Sequence, residues 1–115
     1  MYSYPIEDRS EIPPGTLYML ILKTLARLGE MHGYGIAQHI QQISDDVLQV
    51  EEGSLYPALH RMEEAGWIGA EWVVKDNGKR ARIYHLTAAG KKQLTREEAR
   101  WMTVSSAINQ VLREA

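Results

Sequence analysis

Glu52-Gly53-Ser54-Leu55-Tyr56-Pro57-Ala58-Leu59-His60-Arg61-Met62-Glu63-Glu64-Ala65-Gly66-Trp67 is the stretch whose reading decides the fold. Leu55, Ala58, Leu59 and Met62 stand at i, i+3, i+4 and i+7, one apolar face at the helical period. Ser54 reads as the N-cap, and Gly66 as the left-handed residue that ends the helix. Pro57 then falls in the first turn, where its missing N–H has no intrahelical partner to lose. The outward face carries Ser54, Tyr56, His60 and Arg61 near its start and Glu63 and Glu64 near its end. Donors and an aromatic at the positive end of the helix dipole suit an anion such as DNA. Taken alone, the window is read more simply as an ordinary amphipathic surface helix.

Downstream, Trp67-Ile68-Gly69-Ala70-Glu71-Trp72-Val73-Val74-Lys75 is rich in β-branched and aromatic residues and reads as a strand. Asp76-Asn77-Gly78-Lys79 contains Asn-Gly, a strong hairpin signal. The return strand is 80–86, where alternation puts Arg80, Arg82 and Tyr84 on one face and Ala81, Ile83 and His85 on the other. Cations therefore cluster at and beside the hairpin tip. Trp67 and Trp72 read as core and wing-base residues.

Upstream, residues 1–13 are polar and read as an N-terminal arm, with Pro13-Pro14-Gly15-Thr16 a turn into a helix. In 17–28, Leu17, Leu20, Ile21, Thr24 and Leu28 trace one face, and Met19, Leu22 and Leu25 a second strip. A helix apolar on two sides is buried from two directions, one of them open to a partner subunit. Gly29–Gly33 is a break. Residues 34–43 form a second helix with Ile36, Ala37, Ile40 and Ile43 inward and Tyr34 in packing. Val47–Val50 is an extended connector. Helix, helix, connector, helix and hairpin make an α+β, mostly α fold: a winged helix-turn-helix over 14–86.

Leu86-Thr87-Ala88-Ala89-Gly90 restarts a helix capped by Thr87 that runs to about Arg113. At ~1.5 Å per residue it spans on the order of 40 Å, too long for a small domain to cover. Leu94, Trp101, Val104, Ile108, Val111 and Leu112 share one side, and a second copy is the simplest surface for that stripe. Segment 87–115 is thus expected to be a dimerisation helix.

The chain has 115 residues and a formal net charge of −2, so it is not basic overall. Its charge is uneven. Residues 1–74 hold four Lys/Arg and eleven Asp/Glu, whereas 75–100 hold eight Lys/Arg and three acids. A cationic patch on an acidic body fits contact with phosphates. Cys 0 excludes disulfides, thiolate metal sites and thiol catalysis, and fits a reducing compartment. Neither a signal peptide nor a membrane span is legible, so the expected location is cytoplasmic and no membrane partner is expected.

These pieces together resemble the PadR family of bacterial transcriptional regulators. The resemblance rests on His32-Gly33-Tyr34-Gly35-Ile36, on Glu52–Arg61 and on Tyr84-His85-Leu86-Thr87-Ala88-Ala89-Gly90, and it covers about 12–113. The Gly-Ser-Leu-Tyr-Pro-Ala-Leu block is specific, while Leu-Thr-x-x-Gly is common among winged-helix regulators. Ala81 between Arg80 and Arg82 departs mildly from family wings. The resemblance implies a homodimer joined through the C-terminal helix, with help from the first helix, binding a palindromic operator and most often repressing. It further implies that a small aromatic effector could sit at the dimer interface, where Trp101 is the candidate wall.

On this reading Ser54, Tyr56, Pro57, His60 and Arg61 meet DNA in the major groove, Arg being the commoner reader of guanine. Lys75, Lys79, Arg80 and Arg82 meet phosphates or the minor groove. Leu94, Trp101, Val104, Ile108, Val111 and Leu112 form the dimer interface. No enzyme chemistry is legible: the four His lack metal spacing, and no nucleophile has a base. No cofactor or metal is expected. The competing reading is a winged helix used only for protein–protein contact, against which the basic wing argues.

Overall fold

A computed structural model describes residue 12 and residues 15–114. The expected arm at 1–13 therefore lies outside the described residues except for Ile12, as do Pro13, Pro14 and Ala115.

The order is α1 (Thr16–Leu28), β1 (Met31–His32), α2 (Gly33–Ile43), α3 (Glu52–Glu64), β2 (Ile68–Val74), β3 (Arg80–Leu86) and α4 (Ala88–Arg113). The sheet is antiparallel with strand order β1-β3-β2. This is the expected winged helix-turn-helix with a long terminal helix. The short β1, pairing Met31 with Tyr84 and His32 with Ile83, was not anticipated. Two residues are too few to show an alternating pattern, so Gly29–Gly33 reads locally as a break.

The core sits where α1, α2 and α3 converge on the sheet. Ile21, Leu22, Ile36, Leu55, Leu59 and Met62 are fully buried. Each such side chain contributes roughly 1.5–3 kcal/mol through removal from water. Tyr84 and Ile68 seal the sheet side, and Leu94 of α4 belongs to the same cluster. The fold unit therefore extends past Leu86 into the first turns of α4, which the Lys23–Glu98 ion pair at 3.0 Å also ties to α1.

Two expected inward residues end up outside. Leu28 and Ile43 are exposed, because each stands in the last turn of its helix, beyond the elements that would cover it. After α2 the chain turns through Asp45 and Asp46, both left-handed at φ 52° and 64°, a conformation short polar side chains tolerate. Among the described residues, no helix is long and apolar enough to cross a membrane.

The ends of α3 differ from expectation at one side only. The helix begins at Glu52 after Glu51, with no side-chain cap, so Ser54 is already inside it. The Glu51 carbonyl accepts from Ser54 N–H at 3.0 Å and Leu55 N–H at 2.8 Å. Pro57 consequently lies in the second turn, not the first, and its missing N–H leaves the Gly53 carbonyl without the usual i+4 donor. At the other end Gly66 has φ 80°, as expected. Gly66 N–H donates to Glu63 O and Trp67 N–H to Met62 O, each at 3.0 Å, which closes the helix in a Schellman motif.

Candidate nucleic-acid interface

The expected binding residues lie in two sets, on α3 and on the hairpin. Tyr56, Lys75, Arg80 and Arg82 line one groove, whereas Ser54, Pro57, His60, Arg61 and Lys79 are not part of its lining. At ~100° per residue, the buried Leu55, Ala58, Leu59 and Met62 leave Gly53, Pro57, His60 and Glu64 pointing straight outward. Tyr56 and Glu63 flank them toward the hairpin. Ser54 and Arg61 flank them toward α1. The outward set is exposed, and His60 Nε2 stands 3.8 Å from Glu64 Oε1. Arg61 Nη1 donates to the Tyr18 hydroxyl of α1 at 3.4 Å, and the Tyr18 ring meets Trp67 edge-on at 6.0 Å.

The N-terminus of α2 meets α3 closely. His32 caps α2, its Nδ1 accepting from Gly35 N–H at 2.9 Å. Gly33 lies against Tyr56: a Cβ on it would stand 3.0 Å from the Tyr56 ring. A side chain at Gly33 would require the Tyr56 ring to give by a few tenths of an ångström. Tyr34, expected in packing, is instead 62% exposed and stacks on His32 at 6.4 Å between ring centroids. It is the second residue of α2, where the helix projects past the core, so its ring lies on the same open side as Tyr56.

The hairpin tip is a three-residue loop. Lys75 N–H donates to Lys79 O at 2.7 Å, and Gly78 N–H to Lys75 O at 2.9 Å. Gly78 takes φ 82°, and Asn77 Oδ1 accepts from Lys79 N–H at 2.9 Å. Asn-Gly thus serves a turn followed by a left-handed bulge residue. Lys75, Lys79 and Arg80 surround the tip and are exposed.

Behind the tip the arginines have different surroundings. Trp72, expected at the wing base, is 56% exposed on the hairpin face, paired across the strands with Arg82. The guanidinium carbon of Arg80 lies 4.6 Å from the Trp72 ring centroid and that of Arg82 5.2 Å. Arg82 also donates to Glu63 Oε2 of α3 at 2.7 Å. That bond holds the Arg82 guanidinium pKa above its ordinary value, with Glu63's charge adding in the same direction against desolvation. Burial raises the Tyr84 phenol above its ordinary value, Glu63 adds to this and Arg82 opposes it.

Between α2, α3 and the hairpin runs an open groove of about 550 Å³. Tyr34, Tyr56 and Trp72 supply aromatic walls, and Lys75, Arg80 and Arg82 supply charge. Sequence reasoning missed Glu63 and Trp72 as parts of this surface. Both were within reach: Trp72 follows from the hairpin register, and Glu63 shares the α3 flank of Tyr56 at i+7.

The expected interface residues on α4 divide. Leu94 is buried in the chain's own core. Trp101, Val104, Ile108, Val111 and Leu112 are exposed, from 39% at Val104 to 75% at Leu112. Trp101 and Val104 line a shallow cleft of about 180 Å³ with Gly15, Thr16, Met19, Glu97 and Arg100, between the start of α1 and α4.

The family model described as "Transcriptional regulator PadR-like family" matches residues 21–96. An uncharacterized protein of Lysinibacillus sphaericus is 32% identical over 102 residues, 88% of this chain and 92% of that one. The negative transcriptional regulator PadR of Bacillus subtilis is 26% identical over 70 residues, 61% of this chain and 38% of that protein. The crystal structure of a PadR family transcription regulator from Clostridium difficile superposes with a TM-score of 0.72 at 30% identity, covering 85% of this chain and 99% of that one.

Proposed function

This chain belongs to the PadR-like family of transcriptional regulators, and we propose that it is a cytoplasmic homodimer that binds a pseudopalindromic operator and represses transcription. The carrying observation is that Tyr56, on the hairpin-side flank of α3, and Lys75, Arg80 and Arg82 of the hairpin line one groove. A DNA strand following that groove would have α3 in the major groove and the tip on the adjoining backbone. Ser54, Tyr56, Pro57, His60 and Arg61 are the proposed readers. Lys75, Lys79 and Arg80 are the proposed phosphate contacts, with Arg82 behind them on the hairpin.

Dimerisation through α4 is supported by Trp101, Val104, Ile108, Val111 and Leu112, which share one side and are exposed among the described residues, from 39% at Val104 to 75% at Leu112. A two-fold pair would set the two copies of α3 roughly 34 Å apart, one turn of DNA. The repressor sense is supported by the Bacillus subtilis relative, a negative transcriptional regulator. A small aromatic effector is proposed beside Trp101, where the cleft at the start of α1 offers an indole wall with the Arg100 cation and the Glu97 carboxylate. No enzymatic activity and no cofactor are proposed.

The test is a gel shift with the DNA upstream of the protein's own gene, repeated at raised salt. Retardation that weakens steeply with salt supports the reading. Absence of any retardation at micromolar protein overturns it and leaves a protein-contact module as the alternative.

A further inference from the structure

We propose that Glu63 and Arg82 form a positioning pair that sets the distance and angle of the wing relative to α3, and that the pair stays intact when DNA is bound. The consequence for binding rests on the DNA reading above; the mechanical part does not. Strand β1 pairs with β3 only at Ile83 and Tyr84. From Arg82 outward to the tip, the wing is therefore a two-stranded ribbon, a form that is marginal alone in water. Arg82 is the first residue beyond the support of β1. It is there that the bond to Glu63 reaches across from α3 at 2.7 Å. Among the described residues, no other side-chain hydrogen bond joins α3 to the hairpin.

The pair reaches further than its two residues. Arg82 lies beside the ring of Trp72, its partner across the strands, and Arg80 covers the same ring. Fixing Arg82 therefore fixes Trp72 and Arg80 in turn, the latter adjoining the tip lysines. Glu63 is one-quarter exposed and Arg82 one-third, so the pair is screened less than a fully exposed one.

The sign of the effect separates this role from simple electrostatics. Glu63 is an anion beside the path proposed for a polyanion. Removing it deletes a repulsion and frees Arg82, so charge alone predicts tighter binding. A positioning role predicts weaker binding.

The experiment uses the full chain and DNA selected from a random pool by the wild-type protein. Glu63→Ala, Glu63→Gln, Arg82→Gln and the exchange of both residues (E63R with R82E) are compared by affinity across a salt series. Backbone hydrogen exchange of residues 72–82 is followed in parallel, well below each variant's melting temperature. Glu63→Ala and Arg82→Gln are each expected to weaken binding about tenfold, as for loss of one coupled pair, with the salt slope unchanged. The exchange variant recovers most of that loss. Hairpin amides exchange faster in Glu63→Ala while those of α1 keep their protection. Tighter or unchanged binding by Glu63→Ala and Glu63→Gln overturns the proposal. So does a slope reduced by roughly one in Arg82→Gln with Glu63→Ala silent, since Arg82 would then be a phosphate contact. If the wild-type protein selects no DNA, the DNA reading fails by itself. Hydrogen exchange then decides the pair: unchanged hairpin protection in Glu63→Ala refutes it.

Discussion

Gly90, in the first turn of α4, packs so tightly under the backbone of Trp67 that a Cβ there would fall inside the van der Waals shell of the Trp67 carbonyl oxygen. The same Cβ would meet the Leu86 side chain at 2.7 Å. Thr87 completes the junction. Its Oγ1 accepts from Gly90 N–H at 3.0 Å and donates to Gly66 O at 2.6 Å, while its own N–H donates to Trp67 O at 3.1 Å. The Leu-Thr-x-x-Gly run is thus the joint where the end of α3, the sheet and the start of α4 meet. The obstacle at Gly90 is backbone, which cannot rotate aside.

Gly90→Ala should therefore destabilise the fold by about 1–3 kcal/mol, the cost of overpacking, despite the better helix propensity of alanine. Urea unfolding of the variant against wild type measures it. A stability equal to or above wild type would show that α4 can move away from Trp67 at no cost.

Arg61 and Arg80 should separate in their effects on DNA. Arg61 projects from α3 on the α1 side with Tyr18 as neighbour, and is proposed to read base edges. Arg80 stands at the wing beside the tip lysines. Arg61→Ala should reduce affinity for the selected site by about 1–3 kcal/mol with a smaller effect on random DNA. Arg80→Ala should weaken both alike and lower the slope of log K against log salt by about 0.9. Fluorescence anisotropy titrations at several salt concentrations test this, and equal effects of the two changes would contradict the assignment.

How much of this was legible in the chain depends on the range of each interaction. The buried face of α3, the Gly66 terminator, the hairpin and the Thr87 cap follow from local periodicity and turn chemistry, and the structure bears each out. What escaped was non-local. Strand β1 exists only because β3 passes beside Met31 and His32. The exposure of Tyr34 and Ile43 reflects where the core stops, which no periodicity states. Glu63 looked like a solvated acid, because its partner lies 19 residues away. Pro57 moved from the first to the second turn because α3 starts two residues before Ser54, without a side-chain cap.

The exposed side of α4 carries a prediction about assembly. Ile108 is 52% exposed and lies beyond the part of α4 that packs on α1, so an acid there leaves the chain's own core untouched. Ile108→Glu should shift the protein from dimer toward the 13.1 kDa monomer in sedimentation, with helix content retained. Operator affinity should fall steeply, since one half-site lacks the added contacts of the second. A wild-type protein that sediments as a monomer at micromolar concentration would overturn the dimer itself.

Tyr84 predicts how stability responds to alkali. It is 4% exposed, and its phenol pKa is raised, chiefly by burial and then by the Glu63 carboxylate. The neutral phenol is therefore favoured in the folded chain and the phenolate disfavoured. A group whose folded pKa is raised contributes its full stability below the unfolded value, near 10.0, and loses it as pH climbs through the folded value. Unfolding free energy should thus decline as pH rises above about 10, the unperturbed tyrosine value, and Tyr84→Phe should lessen that decline because phenylalanine has no proton to release. Below that range Tyr84→Phe should show no pH-dependent difference from wild type. Chemical denaturation at stepped alkaline pH tests the point. An alkaline decline of the same size in Tyr84→Phe would assign it to the other tyrosines or the lysines.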